Sequence, residues 1–328
     1  MYYSLNDVAR SYSAARASAE AEKFIAALSA DFVQTQRGAI VAAIGGDSSA
    51  LNAIRAQRNK SDADLSGLDV ADIRIGDGGY LRLRIYTPRT RLSKNRNILL
   101  YVHGGGWTIN SPENCARFCR DFALKNDAVV VAPDYRLAPE HKYPAANTDV
   151  KLAFDWVAAR AEEIGGSPHK LYVGGDSAGG HLAVSLALDI LADASAKVSP
   201  AGVIAFYPAV DLRGTVRRKS FDFFGEKFCL NAELMGLFAD AYAPTLSDKN
   251  AATLLGRDFK GFPRTLIIAS ECDVLRDEAR ELYSEMARAG VPARFVCFEG
   301  ATHIYITQKG MDSAYARALG EASDFLLR

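Results

Sequence analysis

The chain has 328 residues, of which 49% are hydrophobic and 24% charged, as in an ordinary soluble globular protein. Lys plus Arg and Asp plus Glu both number 39, so the net charge is zero, which argues against nucleic-acid binding or attraction to anionic membranes. There is no apolar run long enough to span a membrane and no apolar core of a signal peptide near the start. We therefore expect a cytoplasmic protein without stable membrane insertion.

The cysteines favour neither a metal site nor a disulfide framework. There are five, an odd and scattered set, with no Cys-x-x-Cys pair and no histidine at ligand spacing. Free thiols in a reducing compartment are the simpler interpretation, and we expect no bound metal.

The N-terminal part is predicted to be helical, and a hairpin follows it. Phe24, Leu28 and Phe32 recur at intervals of four and predict one amphipathic helix. Residues 45–68 are polar and poorly patterned. In residues 71–86, two alternating segments flank Gly-Asp-Gly-Gly, which is typical of two strands joined by a tight turn.

Six later strands alternate with helices. Short, almost continuously apolar runs predict parallel strands covered on both faces, at 97–102, 128–132, 170–174, 202–206, 265–270 and 293–298. Helices are predicted between and after them, at about 113–126, 146–164, 178–195, 276–290 and 312–328. With the hairpin, this predicts an α/β fold with a mostly parallel eight-stranded sheet flanked by helices.

A long interval interrupts this alternation. About 58 residues separate the strands at 202–206 and 265–270, and Leu230, Leu234, Phe238 and Tyr242 repeat at intervals of four within it. We interpret it as an inserted helical cap over the carboxyl ends of the strands, where such sheets bind ligands. The predicted division is 1–50 (N-terminal cap part), 51–208 (core), 209–255 (inserted cap part) and 256–328 (core).

A Gly-Asp-Ser-Ala-Gly segment at residues 175–179 predicts a nucleophile. It follows an apolar strand and precedes a helical segment, which is the context of the G-x-S-x-G elbow that exposes a serine hydroxyl. A phosphate-binding loop fits poorly, because no lysine follows the glycines. Ser177 is the predicted nucleophile, and its neighbour Asp176 is expected to brace the turn through hydrogen bonds to nearby loops.

The base and the acid are predicted from their places after later strands. Among the five histidines, His303 lies beyond the carboxyl end of the last strand, where catalytic groups of such sheets gather. The loop after the preceding strand offers Glu271, Asp273, Asp277 and Glu278. The last two are interpreted as helix-opening acids that favour the dipole, and Asp273 is the best candidate for orienting the base.

The segment His103-Gly104-Gly105-Gly106-Trp107 follows a strand and predicts an oxyanion hole. Its glycines let backbone N–H groups approach a substrate oxygen closely. The N–H of Ala178, directly after the serine, is predicted to be a further donor. Trp107, together with Phe206 and Tyr207, is a candidate for an apolar substrate pocket, although a purely structural role in the core remains open for these aromatic residues.

Taken together, these motifs resemble the carboxylesterases related to hormone-sensitive lipase, which have the α/β-hydrolase fold. The resemblance rests on HGGGW (103–107), DYRLAPEHKYPAANTD (134–149), GDSAGG (175–180), DVLRDE (273–278) and the His303 loop. It covers most of the chain from about residue 97 onward, whereas residues up to about 60 carry no motif of the family.

The resemblance implies a role for each matched residue. Ser177, Asp273 and His303 would form the catalytic triad, and the N–H groups of Gly105, Gly106 and Ala178 the oxyanion hole. His103, Gly104 and Asp176 would support these motifs. It also implies a cap built from the N-terminus and from the insertion after the sixth strand.

We therefore expect a serine carboxylesterase that hydrolyses short-chain acyl or aryl esters through an acyl-enzyme, without a cofactor. Its partner would be a small-molecule ester, and a homodimer is left open. Another acyl hydrolase or acyltransferase, such as an amidase or a lactonase, would use the same residues. A non-catalytic ligand-binding protein on the same fold is a further alternative.

Overall fold

Eight strands form a single sheet in the computed structural model, which describes residues 15–28, 31–89, 95–214, 218–226 and 228–327. The strands are β1 (Leu68–Ile75), β2 (Leu81–Pro88), β3 (Arg96–Val102), β4 (Val129–Asp134), β5 (Gly166–Asp176), β6 (Gly202–Phe206), β7 (Thr265–Cys272) and β8 (Ala293–Thr302). Their order is β1-β2-β4-β3-β5-β6-β7-β8. β2 is antiparallel to β1 and β4, and all other pairs are parallel. The predicted hairpin and mostly parallel sheet are confirmed.

Helices flank the sheet and lie above its carboxyl edge. The helices among the described residues are α1 (Ala19–Ala27), α2 (Phe32–Ile44), α3 (Ser49–Arg58), α4 (Ala116–Asn126), α5 (Ala145–Ala159), α6 (Ala178–Ala192), α7 (Lys219–Phe224), α8 (Ala232–Tyr242), α9 (Leu246–Ala252), α10 (Arg276–Arg288) and α11 (Asp312–Leu327). The helices predicted around the sheet are confirmed. The largest difference is at α5, where turns replace the predicted helix after Ala159.

The sheet separates two apolar clusters because successive side chains of a strand point to opposite faces. On β3, Leu100 and Val102 join the cluster that contains α5, α6 and α10. Leu99 and Tyr101 join the cluster that contains α4 and α11. The central strands are therefore buried on both faces, which explains their continuous apolar sequences.

The predicted single helix through Phe24, Leu28 and Phe32 is wrong. α1 ends at Ala27, Leu28 is extended (φ −69°, ψ 144°), and a separate helix begins at Phe32. Residues 29 and 30 lie outside the described residues. An apolar repeat indicates only which side chains face the interior. Two successive helices can therefore produce the same repeat as one long helix.

The polar stretch at 45–68 contains a helix that apolar periodicity did not indicate. Leu51 is the only fully buried side chain that α3 contributes among its described residues. Arg55 holds this helix instead: its guanidinium donates to the carbonyl oxygens of Thr108 and Ala138, each at 2.8 Å, and forms a bidentate ion pair with Glu140 at 2.9 Å. Because polar contacts dock this helix, its sequence shows little of the apolar periodicity by which helices are predicted.

The N-terminal helices meet the inserted helices above the sheet. α2 packs against both α3 and α8, and Arg37 of α2 pairs with Glu233 of α8. This contact supports the proposal of a cap built from two parts of the chain. The predicted boundary at residue 50 falls inside α3, so we propose to move it to Arg58. The first 14 residues of the predicted cap lie outside the described residues.

His181 links the core to the inserted segment. It lies in the first turn of α6, is fully buried, and its Nε2 is 2.8 Å from the carbonyl oxygen of Ala252 at the end of α9. Nε2 must carry the proton, because a carbonyl can only accept. The ring also meets Trp107 and Tyr242 edge-on, at centroid distances of 5.2 and 6.1 Å. Burial lowers the pKa of His181 to about 4.

The burial of neutral His181 predicts that the folded protein loses stability as the pH falls below neutral. The folded protein keeps His181 neutral, whereas the unfolded chain takes up a proton near pH 6.5, so the unfolded state binds more protons between pH 6.5 and 4. The free energy of unfolding should therefore fall over this range, with His181 contributing on the order of 3 kcal/mol. His181→Gln retains a hydrogen-bond donor without titrating, so urea denaturation of this variant from pH 7 to pH 4 should show a shallower decline. The control is exposed His169→Gln, and equal slopes in wild type and His181→Gln would contradict this account.

Candidate active site

The turn between β5 and α6 presents the side chain of Ser177. The backbone at Ser177 is strained (φ 55°, ψ −119°), and its N–H donates to the carbonyl oxygen of Phe206 at 2.8 Å. Two residues later, a Cβ on Gly179 would overlap the backbone carbonyl oxygen of Val102. Only glycine allows α6 to begin so close to β3, and this close approach fixes the serine at the carboxyl edge of the sheet.

Ser177, His303 and Asp273 form a continuous hydrogen-bonded chain. Ser177 Oγ is 2.9 Å from His303 Nε2, and His303 Nδ1 is 2.6 Å from Asp273 Oδ2. All three side chains are buried and follow the ends of β5, β8 and β7. An ionised Asp273 accepts the Nδ1 proton, which leaves the lone pair of Nε2 directed at the serine hydroxyl. Asp273 Oδ1 also accepts from the N–H of Leu275 at 3.0 Å, which fixes the carboxylate.

The glycine loop after β3 lies beside the serine. Gly105 and Gly106 have positive φ values of 117° and 58°, and both line the same cleft as Ser177 and Ala178. In the described part of the chain, no protein acceptor takes a hydrogen bond from the N–H of Gly105, Gly106 or Ala178. These N–H groups are therefore free to bind an oxygen of a ligand.

Asp176 joins the elbow to this loop. It is buried, and its Oδ1 accepts from the N–H of Gly104 at 3.0 Å and from the hydroxyl of Tyr101 at 2.9 Å. Burial raises the pKa of Asp176 to about 6, although these two hydrogen bonds oppose the increase. Its side chain points to the glycine loop and not to His303, so it holds two loops in register.

His103 supports the same loop from below. Its Nδ1 donates to the carbonyl oxygen of Gly104 at 2.8 Å, and its ring stacks on Tyr135 at a centroid distance of 4.3 Å. The Tyr135 hydroxyl in turn donates to the carbonyl oxygen of His103 at 2.9 Å. Burial lowers the pKa of His103, so it serves as a neutral structural group.

The cleft above Ser177 is largely apolar. It contains about 610 Å³ of empty space, including solvent at its mouth. The loops at the strand ends contribute Ser177, His303 and the glycine loop. Helix α2 and the segment inserted after β6 contribute the apolar side chains Phe32, Leu230, Leu234, Met235 and Phe238.

Comparisons with known proteins agree with this geometry. A family model described as an alpha/beta hydrolase fold matches residues 99–307. This chain belongs to that α/β-hydrolase family. Ethyl acetate hydrolase of Pseudomonas putida is 31% identical over 264 residues, covering 79% of this chain and 80% of that protein. Carboxylesterase NlhH of Mycobacterium tuberculosis is 30% identical over 276 residues, covering 80% of this chain and 84% of its own.

Solved structures agree as well. A hyperthermophilic esterase from the archaeon Pyrobaculum calidifontis superposes on this hydrolase with a TM-score of 0.77 at 29% identity, covering 91% of this chain and 97% of that one. A thermostable esterase from Pseudomonas putida gives a TM-score of 0.81 at 26% identity, covering 95% and 97% of the two chains. The predicted family of carboxylesterases related to hormone-sensitive lipase, and the predicted class of carboxylic ester hydrolase, are confirmed.

The other acids near the predicted triad of this hydrolase have structural contacts. Glu271 Oε2 accepts from the N–H of Gly300 at 2.9 Å. Asp277 and Glu278 do more than favour the dipole of α10, which corrects our interpretation. Asp277 Oδ2 accepts from the N–H of Ser220 at 2.9 Å, and Glu278 Oε1 accepts from the N–H of Val210 at 2.7 Å. Both carboxylates are buried. Glu278 binds the start of the segment after β6, and Asp277 binds its middle.

Only one of the three aromatic residues predicted for the substrate pocket lines the cleft. Trp107 does so, with its ring stacked on Tyr242 at 4.7 Å. Phe206 does not, because it ends β6 with its side chain on the opposite face of the sheet, 5.2 Å from the ring of Phe118. Tyr207 packs against the ring of His303 at 4.5 Å, and its hydroxyl accepts from the peptide N–H of residue 306 at 3.2 Å. It buttresses the histidine and does not line the cleft.

The described residues hold no candidate metal site or membrane span. No three His, Cys, Asp or Glu side chains of the described ranges come together as metal ligands do, and no helix there is both long and apolar enough to cross a membrane. All five cysteines are described and carry free thiols, with Cys115 Sγ and Cys119 Sγ 3.7 Å apart.

The close approach at the elbow predicts that replacing Gly179 lowers the stability of the fold. In Gly179→Ala the new methyl group overlaps a carbonyl of the central sheet, which cannot move aside, so the free energy of unfolding should fall by about 3 kcal/mol. The matched control is Gly236→Ala in α8, where a Cβ meets no atom within 4 Å. That variant should gain about 0.5–1 kcal/mol from the greater helix propensity of alanine. Urea denaturation measures both, and a Gly179→Ala protein of wild-type stability would refute the steric argument.

Proposed function

We propose that this chain is a serine carboxylesterase that hydrolyses short-chain acyl or aryl esters through an acyl-enzyme on Ser177. The observation that carries the proposal is the chain of hydrogen bonds from Ser177 Oγ through His303 to Asp273, at 2.9 and 2.6 Å, beside three free N–H groups. The relatives support it, since they include an ethyl acetate hydrolase and a versiconal hemiacetal acetate esterase.

The proposed reaction begins with attack of Ser177 Oγ on the ester carbonyl carbon. His303 Nε2 takes the hydroxyl proton as the new C–O bond forms, and Asp273 stabilises the resulting imidazolium and holds its orientation. The carbonyl oxygen becomes negatively charged and accepts hydrogen bonds from the N–H groups of Gly105, Gly106 and Ala178. Removing one strong donor of this kind typically costs about 3–4 kcal/mol of transition-state stabilisation.

The tetrahedral intermediate then collapses. His303 returns the proton to the leaving alcohol, whose C–O bond breaks, and the acyl group stays on Ser177. A water molecule next gives a proton to His303 and attacks the acyl carbon, and a second collapse releases the carboxylic acid and restores the serine hydroxyl. No step requires a metal or an organic cofactor.

The cap supports the preference for short acyl chains. Phe238 of α8 stands against Gly106, where a Cβ would overlap its ring, so the apolar wall closes directly over the reacting carbonyl. Leu234 and Met235 extend this wall. We therefore expect acyl chains of a few carbons to be preferred over long ones. A cytoplasmic location is part of this proposal, and the five free thiols support it.

The first test is a series of p-nitrophenyl esters from acetate to decanoate. We expect the highest kcat/KM for the shortest members, and we expect Ser177→Ala to lower kcat by about 10⁴-fold to 10⁶-fold. Circular dichroism of the variant confirms its folding, and p-nitroanilides of the same acids serve as the comparison. Failure of the wild type to hydrolyse any ester, or faster hydrolysis of the anilides, would exclude a carboxylesterase.

The second test separates the proposed orienting acid from its neighbour. Asp273→Asn removes the charge that stabilises the imidazolium and should lower kcat by about 10³-fold to 10⁴-fold. The matched control is Glu271→Gln, which changes a carboxylate two residues away that binds Gly300 and not His303. It should retain kcat within about threefold. The assignment of Asp273 is wrong if Glu271→Gln is the more damaging change.

A further inference from the structure

One cationic side chain lines the cleft and has no part in the proposed reaction. Arg58, the last residue of α3, shares this cleft with Ser177. Apart from it, no Lys or Arg of the described residues lines the cleft. Arg58 also borders a larger polar groove on the outer side, lined by Asp62, Glu113 and Lys309 among others. It therefore stands between the buried serine and the open surface.

Within the described ranges, the guanidinium of Arg58 has no anionic partner. No carboxylate there forms an ion pair with it, and the ring of Phe32 lies 5.6 Å from the guanidinium carbon. Arg55, one turn earlier on the same helix, has two carbonyl acceptors and a bidentate carboxylate. The contrast within one helix indicates that the described residues supply partners for the arginine that docks α3 and no anion for the arginine in the cleft.

Burial makes this lack of a partner costly. The pKa of Arg58 is lowered from its ordinary value because burial removes water from the guanidinium. A desolvated cation is unfavourable unless an anion or several acceptors replace its water. A ligand that brings a carboxylate would supply this replacement, because the planar guanidinium matches a carboxylate with two parallel hydrogen bonds.

The acids around Arg58 are already engaged. Asp176, the one acid of the described residues that lines the cleft, accepts from Gly104 and Tyr101. In the outer groove, Asp62 pairs with Lys309, and Glu113 pairs with two arginines of β2 at 2.7 and 2.8 Å. Asp31 accepts from the hydroxyl of Thr35 and has a further interaction of its own. As far as the described part of the chain goes, a carboxylate arriving at Arg58 therefore meets a cation without an anionic partner and no uncompensated acid in the cleft.

We propose that Arg58 binds a carboxylate carried by the substrate, so that the preferred esters are monoanions with a carboxylate several bonds from the scissile carbonyl. The inference rests on the proposed esterase function and specifies its substrate class. The carbonyl lies at Ser177, deep in the cleft, and the carboxylate lies at its mouth, where the amide side chain of Gln308 borders both the cleft and the groove. Arg58 is a specificity-determining residue that takes no part in bond making.

The test compares charged and neutral esters of matched length. Monoethyl adipate and ethyl hexanoate place the charge on the acyl side, whereas 4-acetoxybutanoate and pentyl acetate place it on the alcohol side. For one of the two pairs we expect the wild type to have a lower KM for the anionic ester. Arg58→Gln should raise that KM by about 10-fold to 100-fold, which corresponds to the loss of one hydrogen-bonded contact between charged groups. The kcat should stay within about twofold of wild type.

Three controls distinguish recognition from a structural role. The neutral esters should keep their KM in Arg58→Gln, since loss of a merely structural contact would change both members of a pair. Arg58→Lys keeps the charge but loses the planar fork, so it should recover part of the preference. Arg37→Gln removes an exposed, paired arginine of the cap and should change neither KM.

The outcomes separate the two proposals. If wild type hydrolyses neutral and anionic esters with equal KM, or if Arg58→Gln raises both KM values equally, Arg58 is not a carboxylate site while the esterase function stands. If no ester is hydrolysed, the esterase function fails, and calorimetric titration of adipate into wild type and Arg58→Gln decides the binding site alone. Binding lost in Arg58→Gln supports the site, and equal binding overturns it.

Discussion

The contact between the backbones of β3 and α6 is the constraint on which the active site depends. Gly179 lies so close to the carbonyl oxygen of Val102 that no side chain fits, and this closeness forces the strained turn at Ser177. The loops after β7 and β8 then need only end at the same edge of the sheet for Asp273 and His303 to reach the serine. The parallel order of these strands supplies that placement without special side-chain contacts.

Polar contacts around this turn hold the neighbouring loops in place. Asp176 binds the glycine loop to the elbow through Gly104, so the donors of the proposed oxyanion hole are held at a fixed place relative to the proposed nucleophile. Arg55 extends the same principle to α3, since it binds the carbonyl oxygen of Thr108, just beyond the glycine loop, and that of Ala138, in the loop after β4. Buried polar groups here set positions that apolar packing alone would leave variable.

The sequence predicted the sheet, the inserted segment and the residues that converge at the carboxyl edge, because each depends on local patterns. Apolar runs identify buried strands, and the elbow and the glycine loop need particular residues at fixed spacings. It did not predict α3, which Arg55 docks through polar contacts, nor the side of the sheet that Phe206 faces, which depends on strand register. Nothing in the sequence indicated Arg58 either, because its burial without an anionic partner among the described residues becomes visible only in the folded chain.

The ring of Phe238 against Gly106 makes one side chain relevant to two proposed properties. In the proposed reaction the ring limits the room for a substrate, and it also packs on the backbone whose N–H groups would solvate the developing negative charge. A smaller residue at this position would enlarge the cleft and remove a support of that backbone. Substrate range and turnover rate are therefore expected to change together when Phe238 is replaced.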